Sequence, residues 1–173
     1  MVFYFCSLDL ISLFSLPAWA ILENHITCRH EQRSRGADHM NEREALLQQA
    51  RAAAARAHSV YSHFRVGAAL RAGERVFTGV NIEISSYGLT LCAERSALAA
   101  AVSAGAGPIT HIAVACIDAR PEAGAAERVP CGACRQWIAD LAPQAVIYID
   151  GIDRDFTIDD LLPFAFALER SNS

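Results

Sequence analysis

Two short stretches hold residues able to do metal chemistry. Cys92 and Glu94 stand two positions apart in "LCAERSALAAA" (91–101), and Cys131 and Cys134 stand three apart in "PCGACRQW" (130–137). Residues three apart on a helix bring their Cβ atoms to about 5–6 Å, from which two thiolates reach one zinc ion at about 2.3 Å each. Cys92 can supply a third sulfur. Both groups fall where helices are expected to begin, and the unsatisfied N–H groups and dipole of a helix N-terminus favour thiolates. Three sulfurs leave tetrahedral zinc one open position, which distinguishes a catalytic site from a closed structural one, and water bound there ionises near neutral pH. Glu94, in the same first turn as Cys92, is placed to take that water's proton and hand it on. Three thiolates exceed the charge of Zn2+ by one unit, so Arg95 and Arg135, each adjacent to a cysteine group, are candidates for the compensating cation.

Other uses of these residues are possible on spacing alone. A lone C-x-x-C also suits a closed zinc knuckle or a thiol redox pair, neither of which needs Cys92. The order of elements is not thioredoxin-like, and a redox pair gives the C-A-E triplet no purpose. Cys116 lies in an apolar run and is expected to be a buried core cysteine rather than a fourth ligand.

The elements that must position these residues follow from periodicity. Asn41 with Glu44 makes a capping-box-like start, and Leu46, Leu47, Ala50 and Ala54 recur at helical spacing, predicting a helix over 42–57. "RVGAALRAGERVFTGVNIE" reads as two extended runs joined at Ala72-Gly73-Glu74. Helices are expected over 92–104 and 131–141, strands over 110–117 and 145–149, a short strand near 154–158, and a last turn at Asp159 to Leu162. Helices between the later strands imply parallel crossovers, hence a mixed sheet covered on both faces. The loop "PEAGAAERVP" (121–130) leads into the second cysteine group.

At the scale of the whole chain, 173 residues with 53% apolar and 20% charged content suit one compact domain. A net charge of −4 and the absence of a basic block argue against tracking a nucleic-acid backbone, and favour a small neutral or cationic ligand. Cysteines at 6, 28, 92, 116, 131 and 134 form no secreted disulfide framework, so a reducing compartment is expected. Residues 1–39 differ from the rest: an apolar run to 22, then a polar stretch without periodicity. Met40 is expected to be the natural start of the functional unit, 40–173, with 1–39 an upstream or disordered extension. A cleaved or anchoring signal is the alternative, supported by Ala18-Trp19-Ala20 but opposed by Asp9, Pro17 and the lack of a basic start; a functional arm is the third. Neither Cys6 nor Cys28 receives a role.

C-A-E followed 39 positions later by P-C-x-x-C resembles the zinc-dependent cytidine deaminase superfamily, in its three-cysteine, free-nucleoside form. The resemblance runs from about Met40 to Phe166. "YSHFRVGAAL", "GVNIE", "SYGLTLCAERSAL", "PCGACRQ" and "LLPFAF" are all similar to small homotetrameric cytidine deaminases. It implies a three-layer α/β/α cytidine deaminase-like fold with a mixed five-stranded sheet. It further implies one zinc per subunit on Cys92, Cys131 and Cys134, with Glu94 moving protons. Asn81 and Glu83 match the pair that holds the ribose hydroxyls; at i and i+2 of a strand end they point to one face, where an amide and a carboxylate can grip a diol. Phe64 matches the aromatic that stacks on the pyrimidine, and Ala93 would offer backbone groups to the base edge. Tyr87 and Phe166 match positions that reach into a neighbouring subunit's site, implying a homo-oligomer, a homotetramer by resemblance. Tyr61 and His63 lie in a matching motif, where hydrogen bonding within the loop explains them equally.

Three departures stand out: Arg65 replaces a common proline, "NIEISS" replaces a common N-I-E-N-A run, and Phe164 fills a position that is often small. The first is expected to loosen the loop bearing Phe64, and the last to crowd the subunit contact. The implied reaction is hydrolysis of cytidine and 2′-deoxycytidine to the uridines with release of ammonia, a step of pyrimidine salvage in the cytoplasm, with no nucleic-acid or membrane partner. A deaminase of another aminopyrimidine nucleoside, such as blasticidin S, is the nearest alternative, and the Asn81–Glu83 pair argues against it. A non-catalytic zinc-stabilised binding protein has no use for Glu94.

Overall fold

The computed structural model describes residues 39–168, and the architecture below is that of the unit from Glu42 onward. The expectations for the leader, with Cys6 and Cys28, fall on residues outside those described.

The first helix, α1 (39–54), presents Leu46, Leu47, Ala50 and Ala54 as a buried stripe. It stops three residues before the expected end. The amides of Arg56 and Ala57 turn back to Ala53 and Ala54 at 2.9 and 3.0 Å, tightening the last turn into i→i−3 bonds. The hairpin follows: β1 (Val66–Ala72) pairs antiparallel with β2 (Arg75–Val80), from Gly67 opposite Val80 to Ala72 opposite Arg75. Gly73, with φ of 59°, supplies the left-handed residue its two-residue turn requires. Then come α2 (Ala93–Ser103), β3 (Ile109–Cys116), α3 (Gly132–Leu141), β4 (Val146–Ile149), β5 (Asp155–Phe156) and a single turn, α4 (Ile158–Leu161). Thr157 and Asp160 cap α4 reciprocally, each side chain accepting the other's backbone N–H.

The strands form one mixed sheet in the order β2-β1-β3-β4-β5. β1 runs antiparallel to both neighbours, so β2 and β3 are parallel and α2 crosses over β1 between them; β3 and β4 pair parallel through α3. Strand alternation divides the core. Ala68, Leu70, Ile112, Val114, Ile147 and Ile149 face a cluster shared with Ala97 and Leu98 of α2 and Ile138 of α3. Ala69, Ala113, Ala115 and Tyr148 face the other way, against Leu46, Leu47 and Ala50 of α1. The unit therefore has the expected three layers, with α1 on one face and α2 and α3 on the other. Among the described residues no helix is long and apolar enough to cross a membrane.

Two glycines set how closely the layers approach. A Cβ on Gly67 would lie 2.1 Å from the Ala50 carbonyl oxygen of α1, and one on Gly79 would lie 2.3 Å from the Ala97 nitrogen and 2.5 Å from the Ala93 oxygen of α2. Backbone meets backbone at both places, and only glycine fits.

Candidate active site

The close seat of α2 on the hairpin fixes the start of that helix, and Cys92 is its N-cap residue, with φ −73° and ψ 156°. Cys131 holds the same position on α3, with φ −66° and ψ 166°, and neither thiol caps its own helix. Both sulfurs are left to turn toward each other. Cys92 Sγ lies 3.8 Å from Cys131 Sγ, and Cys131 Sγ lies 3.5 Å from Cys134 Sγ. All three sulfurs fall within 4.8 Å of one another. Tetrahedral bonds of about 2.3 Å place sulfurs about 3.8 Å apart, so this all-sulfur set fits zinc in size and in chemistry.

The charges at the cluster are coupled. The Cys92 thiol is pulled down to about 5, first by the thiol of Cys134 and then, against burial, by the guanidinium of Arg95. Cys134 moves the other way, because it donates to Cys92 and is buried. One thiolate is thus prepared on Cys92, next to the Arg95 guanidinium, whose Nη2 lies 3.6 Å from that sulfur and donates to the Thr90 carbonyl at 3.0 Å. Arg135 is used differently. Its Nε donates to the Pro130 carbonyl at 2.7 Å and its Nη1 to the Leu161 carbonyl at 2.8 Å, tying the start of α3 to the end of α4. Glu94 is buried beside the thiols, and burial first, then the Cys92 thiolate, raises its carboxyl above the ordinary range. A carboxyl raised in this way holds and releases a proton closer to neutral pH, as proton transfer requires.

A cleft of about 320 Å³ opens onto the cluster. Cys92, Ala93, Glu94 and Cys131 lie at its metal end; Phe64, Asn81, Glu83 and Tyr87 line it, as do Glu127, Arg128 and Val129 of the loop after β3. A larger hollow of about 470 Å³, between Val102 of α2 and Trp137 and Leu141 of α3, lies away from the thiols and has no ligand set. The smaller cleft is the one with chemistry.

Asn81 and Glu83 are both buried and both already at work. Asn81 Oδ1 accepts the Val66 amide and its Nδ2 donates to the Phe64 carbonyl, each at 2.9 Å. The Glu83 carboxylate accepts the amides of Tyr61 and Ser62, at 2.9 and 3.0 Å, and the Ser62 hydroxyl, which first among these holds the carboxyl below its usual range. Tyr87 is half exposed and meets Tyr61 edge-on, with ring centroids 6.0 Å apart. Phe166 is 68% exposed and is not among the residues lining the cleft of its own chain; its backbone exchanges two hydrogen bonds with the Gln136 amide. Cys116 is buried at the cleft and outside the metal cluster, its thiol pushed up to about 12 by burial.

Two residues had no signal in the sequence. Arg128, an arginine in a breaker-rich loop, reads as solvated. It is buried instead, donating to the carbonyls of Arg120, Ala123 and Asp150 at 2.7, 3.1 and 3.3 Å, and it shapes the segment entering Cys131. Asp118 pairs with Arg65, so the position expected to loosen the Phe64 loop is fastened.

The model of the cytidine and deoxycytidylate deaminase zinc-binding region matches residues 40–150. The chain is 42% identical over 136 residues to a cytidine deaminase of Halalkalibacterium halodurans, covering 76% of this chain and 98% of that one. It is 42% identical over 118 residues to a cytidine deaminase of Mycobacterium tuberculosis, covering 68% and 84%. The crystal structure of cytidine deaminase from Burkholderia pseudomallei superposes with a TM-score of 0.62 at 42% identity, over 71% of this chain and 98% of that one. With three thiols at two helix starts, a buried glutamate beside them and these likenesses along most of its length, the chain belongs to the cytidine and deoxycytidylate deaminase zinc-binding family.

Proposed function

We propose that this protein is a cytidine deaminase, hydrolysing cytidine and 2′-deoxycytidine to the corresponding uridines with release of ammonia. The observation that carries this is the buried Glu94 carboxyl beside the Cys92, Cys131 and Cys134 thiols, at the end of a cleft sized for a nucleoside. Cys92, Cys131 and Cys134 would hold a zinc ion, whose chemistry would be to acidify a water toward neutral pH. Glu94 would carry the water's first proton to N3 of the base as the water oxygen bonds to C4, and then the new C4 hydroxyl's proton to the amine as the C4–N bond breaks, a sequence its raised pKa suits. Arg95, against the Cys92 sulfur, offsets the excess charge of three thiolates; Arg135 contributes by holding the start of α3. Phe64 provides the face on which the pyrimidine stacks, Ala93 the backbone groups for the base edge, and Asn81 and Glu83 the grip on the ribose hydroxyls.

The same reading gives one zinc per subunit, a functional unit of 40–173, and a cytoplasmic role in pyrimidine salvage. It makes the molecule a homotetramer in which Tyr87 and Phe166 serve a neighbour's cleft. The exposure of Phe166, and its absence from the residues lining its own cleft, support that sharing.

Loss of cytidine absorbance, followed with the full chain and with a chain starting at Met40, tests the assignment when zinc content is determined alongside. Turnover in both, falling at least about 10³-fold in Glu94→Gln while zinc stays bound, is the expected result. Folded, zinc-loaded wild-type protein that leaves cytidine untouched sinks the assignment and moves it to another aminopyrimidine nucleoside.

A further inference from the structure

The loop between α1 and β1 carries Phe64, and it turns through His63 at φ 55°, the one left-handed non-glycine residue among those described. An imidazole-bearing residue keeps that conformation only where its surroundings over-determine it. Ser62 closes the turn from within, its hydroxyl accepting the Phe64 amide at 3.0 Å, and three side chains hold it from outside the loop. Glu83 and Asn81, beyond the end of β2, hold Tyr61, Ser62, Phe64 and Val66 as described above. The third is Asp118, beyond the end of β3. Its Oδ2 accepts the Arg65 amide at 2.8 Å and the Arg65 Nε at 2.9 Å, while its Oδ1 accepts Nη2 at 2.6 Å. The Ile117 amide adds a bond to the Arg65 carbonyl at 3.2 Å. In the sheet order β2-β1-β3, the loop entering β1 is therefore gripped from the strand on either side.

These anchors differ in what else is asked of them. Asn81 and Glu83 line the cleft, and on the proposed function both also meet the ribose, so their hold on the loop is shared with the ligand. Asp118 does not line the cleft, and its three acceptor contacts all go to Arg65. A forked, charge-assisted contact that also accepts a backbone N–H fixes orientation as well as distance. We propose that Asp118, acting through Arg65, is a positioning residue for Phe64, holding the aromatic wall of the cleft in place whether or not a nucleoside is bound. This rests on the stacking role given to Phe64 in the proposed function.

The test combines hydrogen exchange of the zinc-loaded protein with steady-state deamination of cytidine, for wild type, Asp118→Ala, Asp118→Asn and Arg65→Met. In Asp118→Ala the amides of Phe64 to Val66 exchange faster, and KM rises about fivefold with kcat within about twofold and zinc content unchanged, the scale of one solvent-accessible ion pair plus a backbone hydrogen bond. Asp118→Asn keeps an acceptor for the Arg65 amide and falls between. Arg65→Met, a change at a half-exposed side chain, keeps the backbone bond and gives a smaller rise. Unchanged exchange in Asp118→Ala overturns the proposal, as does faster exchange with an unaltered KM. A joint collapse of kcat and zinc content overturns it too, since that is a general structural defect. Failure of wild type to turn over cytidine strikes the proposed function instead, and the exchange measurements then decide the anchor on their own.

Discussion

Arg95 touches the Cys92 sulfur and has only carbonyl and sulfur partners in its described hydrogen bonds, so its charge is directed at the cluster. In zinc-stripped protein Cys92 should alkylate at a nearly constant rate from about pH 6 to pH 8, because its thiol is held at about 5. Arg95→Met removes one of the three partners responsible, the others being Cys134 and Cys131, and the midpoint of the alkylation rate should climb toward the ordinary thiol value. A midpoint that stays put assigns the depression to the neighbouring thiols of Cys134 and Cys131. Asp118 gives a second pH reading. Arg65 holds its carboxyl at about 2 against an ordinary 3.8, and a carboxyl lowered by folding adds stability in full above the ordinary value and loses it as pH falls through the folded one. The gap in unfolding free energy between wild type and Asp118→Asn should therefore be widest near neutrality, at about 1 kcal/mol or less for so accessible a pair, and close between about pH 4 and pH 2. Both proteins shed metal in acid, so the gap carries the result. Cys92, Glu94, Cys131 and Cys134 were legible in the sequence because their types and spacing are unusual. Asp118 and Arg128 were not, since their roles depend on which distant segment each one meets.

At the scale of elements, the cysteine positions depend on how helices sit on the sheet. Alternation and helical spacing announced every strand and both cysteine-bearing helices, and the N-cap placement of Cys92 and Cys131 followed from where apolar periodicity begins. The end of α1 did not, because Arg56 and Ala57 still read as helical while their amides bond one residue short. Nor did the layer spacing, for Gly67 and Gly79 look like ordinary strand glycines until α1 and α2 are laid across them. Gly79→Ala pushes against the first turn of α2, between the Ala93 carbonyl and the Ala97 amide. It should cost about 3 kcal/mol in denaturant unfolding, at the upper end for overpacking, and loosen zinc in a chelator competition, since Cys92 moves with that turn. Gly67→Ala, on the opposite face against α1, should cost as much stability while sparing zinc affinity. Equal loosening of zinc by both would mean that the metal site senses global stability rather than the seat of α2.

At the scale of the whole molecule, the described residues leave large apolar side chains exposed. Phe164 is 95% exposed and Leu168 78%, in the same tail as Phe166, while Trp137 and Leu141 of α3 border the apolar hollow beside α2. Exposed aromatics of this kind suit an interaction surface, and on the proposed homo-oligomer a second copy of the same chain is the occupant. If Phe166 of one subunit completes the cleft of another, Phe166→Ala should slow turnover about tenfold or more without loss of zinc, and Glu94→Gln should abolish it. Neither variant then has a complete site. Unfolded together in equal amounts and refolded with zinc, the two should regain activity, because a Glu94 from one chain meets a Phe166 from the other in about a quarter of the sites when subunits assort randomly. Separately refolded samples mixed only at the assay should show no more than the residual activity of the Phe166→Ala parent. Activity that never exceeds the sum of the two parents would show that each cleft is complete within its own chain, leaving the exposed tail to hold subunits together without entering their sites.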